Sequence, residues 1–212
     1  MYLLKHRNGW IMGAKWDKGE SSNLTRTYGS VGMVANVGID NQIVRNDYDS
    51  APFFREIINS EDTYSNKFRR LPKLYIKKVD EVGNKEWQIS NRQYDGFYLP
   101  WCFWDFTNSV ELPYIDVGKY KASLSAQNKL ESKSDVFPLR KKNIVEFRGY
   151  AQANGAGYQL MDIHVVDVLQ TLFYIEFATL DSQAVMKGYT TGQYTATHLA
   201  TVAESGTNRF VL

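Results

Sequence analysis

One long run of apolar positions dominates the hydrophobic pattern of this chain. Between residues 162 and 177, apolar side chains recur at spacings of three and four, and further apolar residues cover much of the remaining surface. This period is that of an α-helix, and the shortage of polar positions predicts a helix buried within a domain. Roughly 16 residues span about 24 Å, too short for a bilayer. Asp162 is expected to cap this helix, because a helix N-terminus favours negative charge.

Other parts of the chain alternate polar and apolar residues, which predicts β-strands. Residues 32–39 indicate a short strand. Residues 73–90 alternate on either side of a Gly-Asn pair, the pattern of a β-hairpin. Segments 93–106 and 111–124 are rich in aromatic and β-branched residues and predict one buried strand and one edge strand. The last residues, 209–212, show a further strand pattern.

Three segments interrupt this alternation. Residues 46–62 offer Ser50 as an N-cap before an apolar set that suits one short helix. Residues 125–143 are polar without an apolar period, which predicts a loop. The stretch "NGAGY" (154–158) lacks the Lys-Ser/Thr of a P-loop, and its glycine spacing differs from the dinucleotide fingerprint. A tight turn that leads into the long helix is therefore favoured over a phosphate site.

Together these elements predict an α+β protein with short antiparallel strands and one buried central helix. The composition changes near residue 70. We therefore expect a small, loop-rich, mostly β segment over residues 1–70, followed by a larger α+β domain over residues 71–212.

Composition and charge narrow the partners. The 212 residues carry 25 basic and 23 acidic side chains, and a net charge of +2 gives no reason to expect nucleic acid as a partner. The basic strip at residues 67–78 is closely flanked by carboxylates, which favours a solvated strand face.

Cys102 is the only cysteine, so no intrachain disulfide forms. Polar residues 5–8 interrupt the N-terminal apolar residues, so neither a signal peptide nor a membrane insertion is expected.

The histidines give no metal motif. His6, His164 and His198 lie far apart in the sequence, and none has a second ligand at metal-binding spacing, so no metal and no cofactor are predicted. His164 lies close to Asp162 and Asp167, which would suit a general base held by a carboxylate. A histidine satisfied in the interior or at the helix end is the favoured interpretation.

A polar stretch follows the long helix. Carboxylates at a helix C-terminus are disfavoured by the helix dipole and need hydrogen-bond donors. We therefore predict a buried, hydrogen-bonded corner. No catalytic residues are predicted there, because Ser182 lacks the Gly-x-Ser-x-Gly turn of a nucleophile. The residues assigned to this structural role are Asp162, Glu176, Ser182 and Gln183.

Aromatic residues are concentrated in "GFYLPWCFWDF" (96–106). Trp101 and Trp104 are predicted ligand-binding residues, because flat apolar rings stack on the apolar faces of pyranose sugars. Packing in the core is the alternative use, since strand alternation directs about half of such side chains inward. Tyr189 and Tyr194 are the other predicted ligand-binding residues.

Several segments follow one another in a fixed order along most of the chain. They are "SSNLTRTYGSVGM", "RNDYDSAPFF", "RRLPKLYIKK", "GFYLP" with "YIDVGKYKAS", and "GYAQANGAGYQLMDIHVVDVLQTLFYIEFATLDSQAVMKG". Together these segments resemble a family of tailed-phage and prophage structural proteins. The resemblance is most specific from residue 148 to residue 188.

The resemblance implies a tail, fibre-like or receptor-binding component of the virion that is made in the host bacterial cytoplasm. Residues 71–212 are expected to form a C-type-lectin-like domain, similar to the formylglycine-generating-enzyme superfamily. Residues beyond 212 or another chain would complete this domain. The oxidases of that superfamily use active-site cysteines, and the single Cys102 argues against an enzyme.

The implied partners are other virion proteins, further copies of this chain, as in a trimer, and a host-surface glycan. Two other functions stay open from the sequence. One is a carbohydrate-acting enzyme that uses Asp162, His164, Asp167 or Glu176 as acid and base. The other is a bacterial carbohydrate-binding module unrelated to virions.

Overall fold

The computed structural model describes residues 9–19, 21–37 and 43–185. These residues form an α+β protein with mostly antiparallel sheets and few helices, which confirms the predicted class. None of the helices in these ranges is long and apolar enough to cross a membrane.

The strands, in chain order, are β1 (Ile11–Asp17), β2 (Leu24–Tyr28), β3 (Ala35–Val37), β4 (Ile43–Asn46), β5 (Ile58–Glu61), β6 (Lys67–Pro72), β7 (Tyr75–Asp80), β8 (Asn84–Ser90), β9 (Trp104–Asp105), β10 (Val110–Glu111), β11 (Tyr114–Gly118), β12 (Ser123–Leu124) and β13 (Leu130–Glu131). The helices are α1 (Ile144–Gln152), α2 (Ile163–Phe177) and α3 (Ser182–Val185). Short 3-10 turns cover Asp47–Ser50, Phe54–Glu56 and Trp101–Phe103.

The chain divides into two compact units that are interleaved in sequence. Unit 1 comprises Met1–Glu56, Pro72–Ile115 and Ile163–Gly192, and unit 2 comprises Ile57–Leu71, Asp116–Asp162 and Gln193–Leu212. This division does not coincide with the predicted boundary at residue 70.

Unit 1 is built on a four-stranded antiparallel sheet in the order β2-β1-β8-β7, with α2 against β8 and β1. Strand alternation places five apolar side chains on the covered face. They are all buried: Met12, Ala14, Ile76, Trp87 and Ile89. From α2, Val168, Leu172 and Ile175 are buried in the core, and the Tyr174 ring lies 4.8 Å from that of Trp87, centroid to centroid. Burial of this size contributes about 2 kcal/mol for each large apolar side chain.

The predicted long helix and the predicted hairpin are both confirmed. Helix α2 spans Ile163–Phe177, and strands β7 and β8 pair in antiparallel register on either side of a tight turn at residues 81–83. The helix is less enclosed than its apolar sequence suggests, because Ile163 in its first turn is 70% exposed. The capping role of Asp162 stays a prediction.

Two predicted elements are wrong for backbone reasons. Residues 46–62 do not form one helix, because Ala51 is extended and the buried Phe53 takes a φ of 70°, a left-handed conformation that ends any helical turn. Residues 93–106 form turns and only a two-residue strand. Gly96, with a φ of 75°, and Pro100 interrupt the pairing there.

Unit 2 contains a three-stranded sheet in the order β11-β6-β5, the hairpin β12-β13 and helix α1. Strand β11, which comes from the second aromatic segment, lies at the edge of this sheet. Helix α1 follows the predicted loop and was not predicted, although Asn143 and Glu146 form a reciprocal capping box at its start. The turn after it needs its glycines, because Gly155 and Gly157 have φ values of 120° and 86°.

Four of the six basic residues in the strip at residues 67–78 form ion pairs with carboxylates of the same unit. The ion pairs are Lys67 with Glu61, Arg70 with Asp116 at 2.7 Å, Lys73 with Glu111 at 2.7 Å, and Lys78 with Asp167.

The C-terminal end of α2 is held by side chains from two earlier segments. The Tyr48 hydroxyl donates to the carbonyl of Ile175 at 2.8 Å, and the Arg26 guanidinium donates to the carbonyl of Glu176. Arg26 Nε also donates to the Tyr48 hydroxyl at 3.0 Å, and Asn46 Nδ2 donates to Glu176 Oε1 at 2.7 Å. Tyr48 and Arg26 satisfy backbone carbonyls that have no partner within the helix, and the Arg26 charge is favourable at the negative end of the dipole.

The backbone continues this attachment beyond the helix. The amide of Leu24 donates to the carbonyl of Ala178, and the amide of Leu180 donates to the carbonyl of Ser22, both at 2.8 Å. The chain after α2 is therefore fastened to the start of β2.

Within unit 2, the Asp62 carboxylate organises a turn. It accepts hydrogen bonds from the amides of Tyr64 (2.8 Å) and Asn66 (2.9 Å), from Asn66 Nδ2 (2.9 Å) and from the Tyr158 hydroxyl (2.7 Å). Burial opposes ionisation, but the bonds from Asn66 and Tyr158 outweigh it and hold the pKa of Asp62 below its ordinary value of 3.8. Burial and the bond to Asp62 raise the pKa of Tyr158 to about 12.

Tyr48→Phe is expected to lower the free energy of unfolding by about 1–3 kcal/mol, because it removes a buried hydroxyl that bonds both the end of α2 and Arg26. Urea denaturation measures the change. Tyr64→Phe, at an exposed ring, is the matched control and is expected to change little. Equal stability of the Tyr48→Phe and Tyr64→Phe variants would contradict this role of Tyr48.

Asp62→Asn is expected to destabilise the protein by about 1 kcal/mol near pH 7. Because the folded pKa of Asp62 is depressed, its stabilisation is present above pH 3.8 and is lost as the pH falls through the folded pKa. The stability curves of the wild type and the variant should therefore converge in acid. Urea denaturation across pH 7 to 3 tests this, with Asp95→Asn at an exposed turn as control. A gap that stays constant with pH would rule out the carboxylate as its cause.

Candidate functional site

An exposed tryptophan stands out on unit 1. Pro100, with a φ of −59°, leads into the 3-10 turn Trp101–Phe103. The turn directs Phe103 into the core, where it is 0% exposed, and leaves Trp101 62% exposed. The amide of Leu112 donates to the Phe103 carbonyl at 2.7 Å, so this short turn is tied to the strand that follows it.

Two further rings contact Trp101. Phe106 is 64% exposed and its ring centroid lies 5.5 Å from that of Trp101 at an interplanar angle of 58°. The His164 imidazole lies 5.6 Å from Trp101 at 23°, an offset stack. We call these three residues the Trp101 platform. It combines a wide apolar surface with a backbone that is fixed on both sides.

Helix α2 supplies the histidine and the neighbouring polar groups. Asp167 lies three residues after His164, on the same side of the helix, and pairs with Lys78 of β7. Tyr98 is held beside β7 by two backbone hydrogen bonds to Ile76, each of 2.9 Å, and is 42% exposed. Burial and then the Asp167 charge raise the pKa of Tyr98. The phenol and the carboxylate are thus near neighbours.

Asp105 fixes the turn that presents Phe106. Its carboxylate accepts from Asn108 Nδ2 at 2.7 Å and from the amides of Thr107 and Asn108 at 2.9 and 3.2 Å. The bonds from Asn108, followed by the amide of Thr107, hold the pKa of Asp105 below its ordinary value. A second fixed negative charge therefore lies next to the platform.

The predicted ligand-binding residues have different positions. Trp101 is exposed, whereas Trp104 is half-buried in β9, where it pairs with Glu111. Tyr189 and Tyr194 lie outside the described residues. Neither Phe106 nor His164 was predicted to be a partner of Trp101. The only signal for Phe106 was its place in the dense aromatic run.

The predicted corner is only partly buried. Glu176 is half-buried and bonded to Asn46, and Asp162 is half-buried just before α2. Ser182 and Gln183 are exposed, in contrast to the expected burial.

Asp181 holds the start of α3, because its carboxylate accepts hydrogen bonds from the amides of Gln183 at 3.0 Å and Ala184 at 3.2 Å. Arg26 and Tyr48 carry out the fastening that the sequence analysis assigned to the corner.

One acid and base candidate of the enzyme alternative, Glu176, lies apart from the others. His164 and Glu176 lie near opposite ends of α2, and twelve residues of helix separate them by about 18 Å. Asp167, which lies between them, is engaged with Lys78. Among the described residues, no group of three or more His, Cys, Asp or Glu side chains is arranged to hold a metal ion.

Comparison of the chain with protein-family models, with curated proteins and with solved structures finds no match.

Trp101→Ala and Phe103→Ala form a matched pair within one turn. The first should change the free energy of unfolding by about 1 kcal/mol or less, because the side chain is largely exposed. The second should cost about 3–5 kcal/mol, because it leaves a cavity in the core. Urea denaturation of both variants tests the assignment. A comparable loss in both would mean that Trp101 serves the fold and not a surface.

Proposed function

We propose that this chain is a non-catalytic structural component of a tailed-phage or prophage particle that recognises a glycan on the host surface. The single observation that carries the recognition role is the Trp101 platform, in which two rings more than 60% exposed are held in mutual contact. Exposed aromatic surface is costly unless a ligand covers it, and flat rings suit the apolar faces of sugars.

The absence of enzymatic activity is part of the proposal. Its support is the position of Glu176, which lies about 18 Å from His164 along α2, and the engagement of Asp167 with Lys78.

The location in the virion rests on the order of the sequence segments that resemble phage structural proteins. Three of these segments, "LTRT", "NDYD" and "IEFAT", meet at the C-terminal end of α2. Their joint use in one anchor supports the view that they belong together. We further propose a C-type-lectin-like fold, association with other virion proteins, and assembly into a homo-oligomer such as a trimer.

A bacterial carbohydrate-binding module is the second candidate, because the Trp101 platform would serve it equally well. The two differ in where the protein is found. A virion component is carried in particles, whereas a module is not.

Mass spectrometry of purified particles tests the location, with the chain expected at a stoichiometry typical of a structural protein. Binding of the purified chain to host cells tests the recognition role, and Trp101→Ala is expected to lower it at least tenfold while Phe137→Ala, at a 55% exposed ring, does not.

Particles that lack the chain would refute the virion assignment, and Trp101-dependent binding would then favour the module. Binding that is unaffected by Trp101→Ala would refute the role of the platform.

A further inference from the structure

The Asp105 carboxylate is a fixed negative charge in the turn that presents Phe106 of the Trp101 platform. Asp105 directly precedes Phe106, and Asp167 lies one helical turn from His164. Lys78 balances Asp167 through an ion pair. The carboxylate of Asp105 is bonded to amide donors of its own turn, so it keeps its charge.

The unit as a whole has the same sign. The residues of unit 1 include fifteen carboxylates and thirteen Lys or Arg side chains, whereas the complete chain is positive by two. The positive excess therefore belongs to unit 2. The net charge of unit 1 is small, so the charge preference for a ligand depends on the groups next to the platform.

We propose that the Trp101 platform binds an uncharged pyranose of a neutral glycan and discriminates against sugars that carry sulfate, phosphate or carboxylate groups. This inference rests on the proposed function, and it specifies the class of ligand. The sugar stacks its C–H face on the rings of Trp101 and Phe106. Its hydroxyl groups reach polar side chains of α2 and of the segment before Trp101, which are Asp167, the exposed Gln170 and Tyr98.

These polar groups match a polyhydroxylated ligand. A carboxylate accepts hydrogen bonds from hydroxyl groups, a phenol both donates and accepts, and an amide does the same. Sites for sugars and other small ligands combine apolar surface with a few such groups. An anionic group in place of one hydroxyl would meet Asp105, and a like charge at close range weakens binding roughly five- to tenfold.

His164 acts here as a positioning residue. Its imidazole covers part of one face of the indole and restricts the rotation of Trp101 before the ligand arrives. Preorganisation of this kind improves affinity by lowering the entropy lost on binding.

A glycan fits this surface better than a protein does. The centres of protein interfaces are depleted of charged residues. The platform instead has Asp105 next to Phe106 in the chain and the Asp167–Lys78 pair one helical turn from His164. Binding of a protein through the same residues is an outcome that the experiment below distinguishes.

The test measures binding of the full chain to matched polysaccharides by isothermal titration calorimetry and on an array of neutral and charged bacterial glycans. Dextran with dextran sulfate, and fully methyl-esterified polygalacturonate with polygalacturonate, are the matched pairs. At low salt, we expect the glycans that bind through Trp101 to be neutral. Where both forms of a matched pair bind, the charged form should bind at least fivefold more weakly than the neutral form. Asp105→Asn keeps a side-chain oxygen that can accept the hydrogen bonds of the turn. This variant should reduce the ratio of neutral-glycan affinity to charged-glycan affinity several-fold.

The variants separate a ligand contact from a fold effect. Trp101→Ala should weaken neutral-glycan binding at least tenfold, His164→Ala should weaken it less, and His164→Phe should restore it because a flat ring again supports the indole. Phe137→Ala in unit 2 is the control.

Tighter Trp101-dependent binding to a charged glycan than to its neutral counterpart would overturn the inference and leave glycan recognition standing. No Trp101-dependent binding on the array, or binding of a protein alone through Trp101, would also overturn it. The presence of the chain in particles would then still decide the virion assignment by itself.

Discussion

The carbonyl groups at the C-terminal end of α2 need hydrogen-bond donors, and the way they are satisfied determines much of unit 1. Arg26 and Tyr48 bond the carbonyls of Glu176 and Ile175, although 150 residues separate Arg26 from Glu176 in the sequence. The same contacts fix β2 and the turn at residues 46–49. Because a helix is rigid, anchoring one end against the sheet also fixes the position of His164 at the other end. The Trp101 platform thus depends on an anchor about 18 Å away.

The sequence predicts those elements whose local pattern agrees with their surroundings. Helix α2 and the hairpin β7-β8 have strong periodicity and clear turn residues, and both form as expected. The predicted helix at residues 46–62 fails because of Phe53, whose left-handed backbone no propensity rule anticipates for a bulky residue. Helix α1 was overlooked because its polar lead-in resembles a loop, even though Asn143 and Glu146 carry a capping signal.

The candidate site was only half predictable. The density of aromatic residues predicted that Trp101 and Trp104 would act as a pair. The alternation of a β-strand does not apply to this segment, because most of it does not form a strand. Its 3-10 turn places Phe103 inside and Trp101 outside, and Trp104 enters a short strand. The contact with His164 joins residues 63 positions apart, and no local pattern encodes it. The structural corner shows the same limit, because its stabilising residues come from the first quarter of the chain.

The interleaving of the two units has a consequence for folding. Strand β1 pairs with β8, and α2 must arrive from still further along the chain to cover the face that they form. Such a high contact order implies slow folding, since long loops must close before the apolar surfaces meet. A fragment that stops before α2 would expose the apolar side of the central sheet, and no continuous piece of the chain reproduces unit 1. During synthesis that sheet therefore stays unshielded until nearly the whole of α2 has left the ribosome, which makes the nascent chain prone to aggregation.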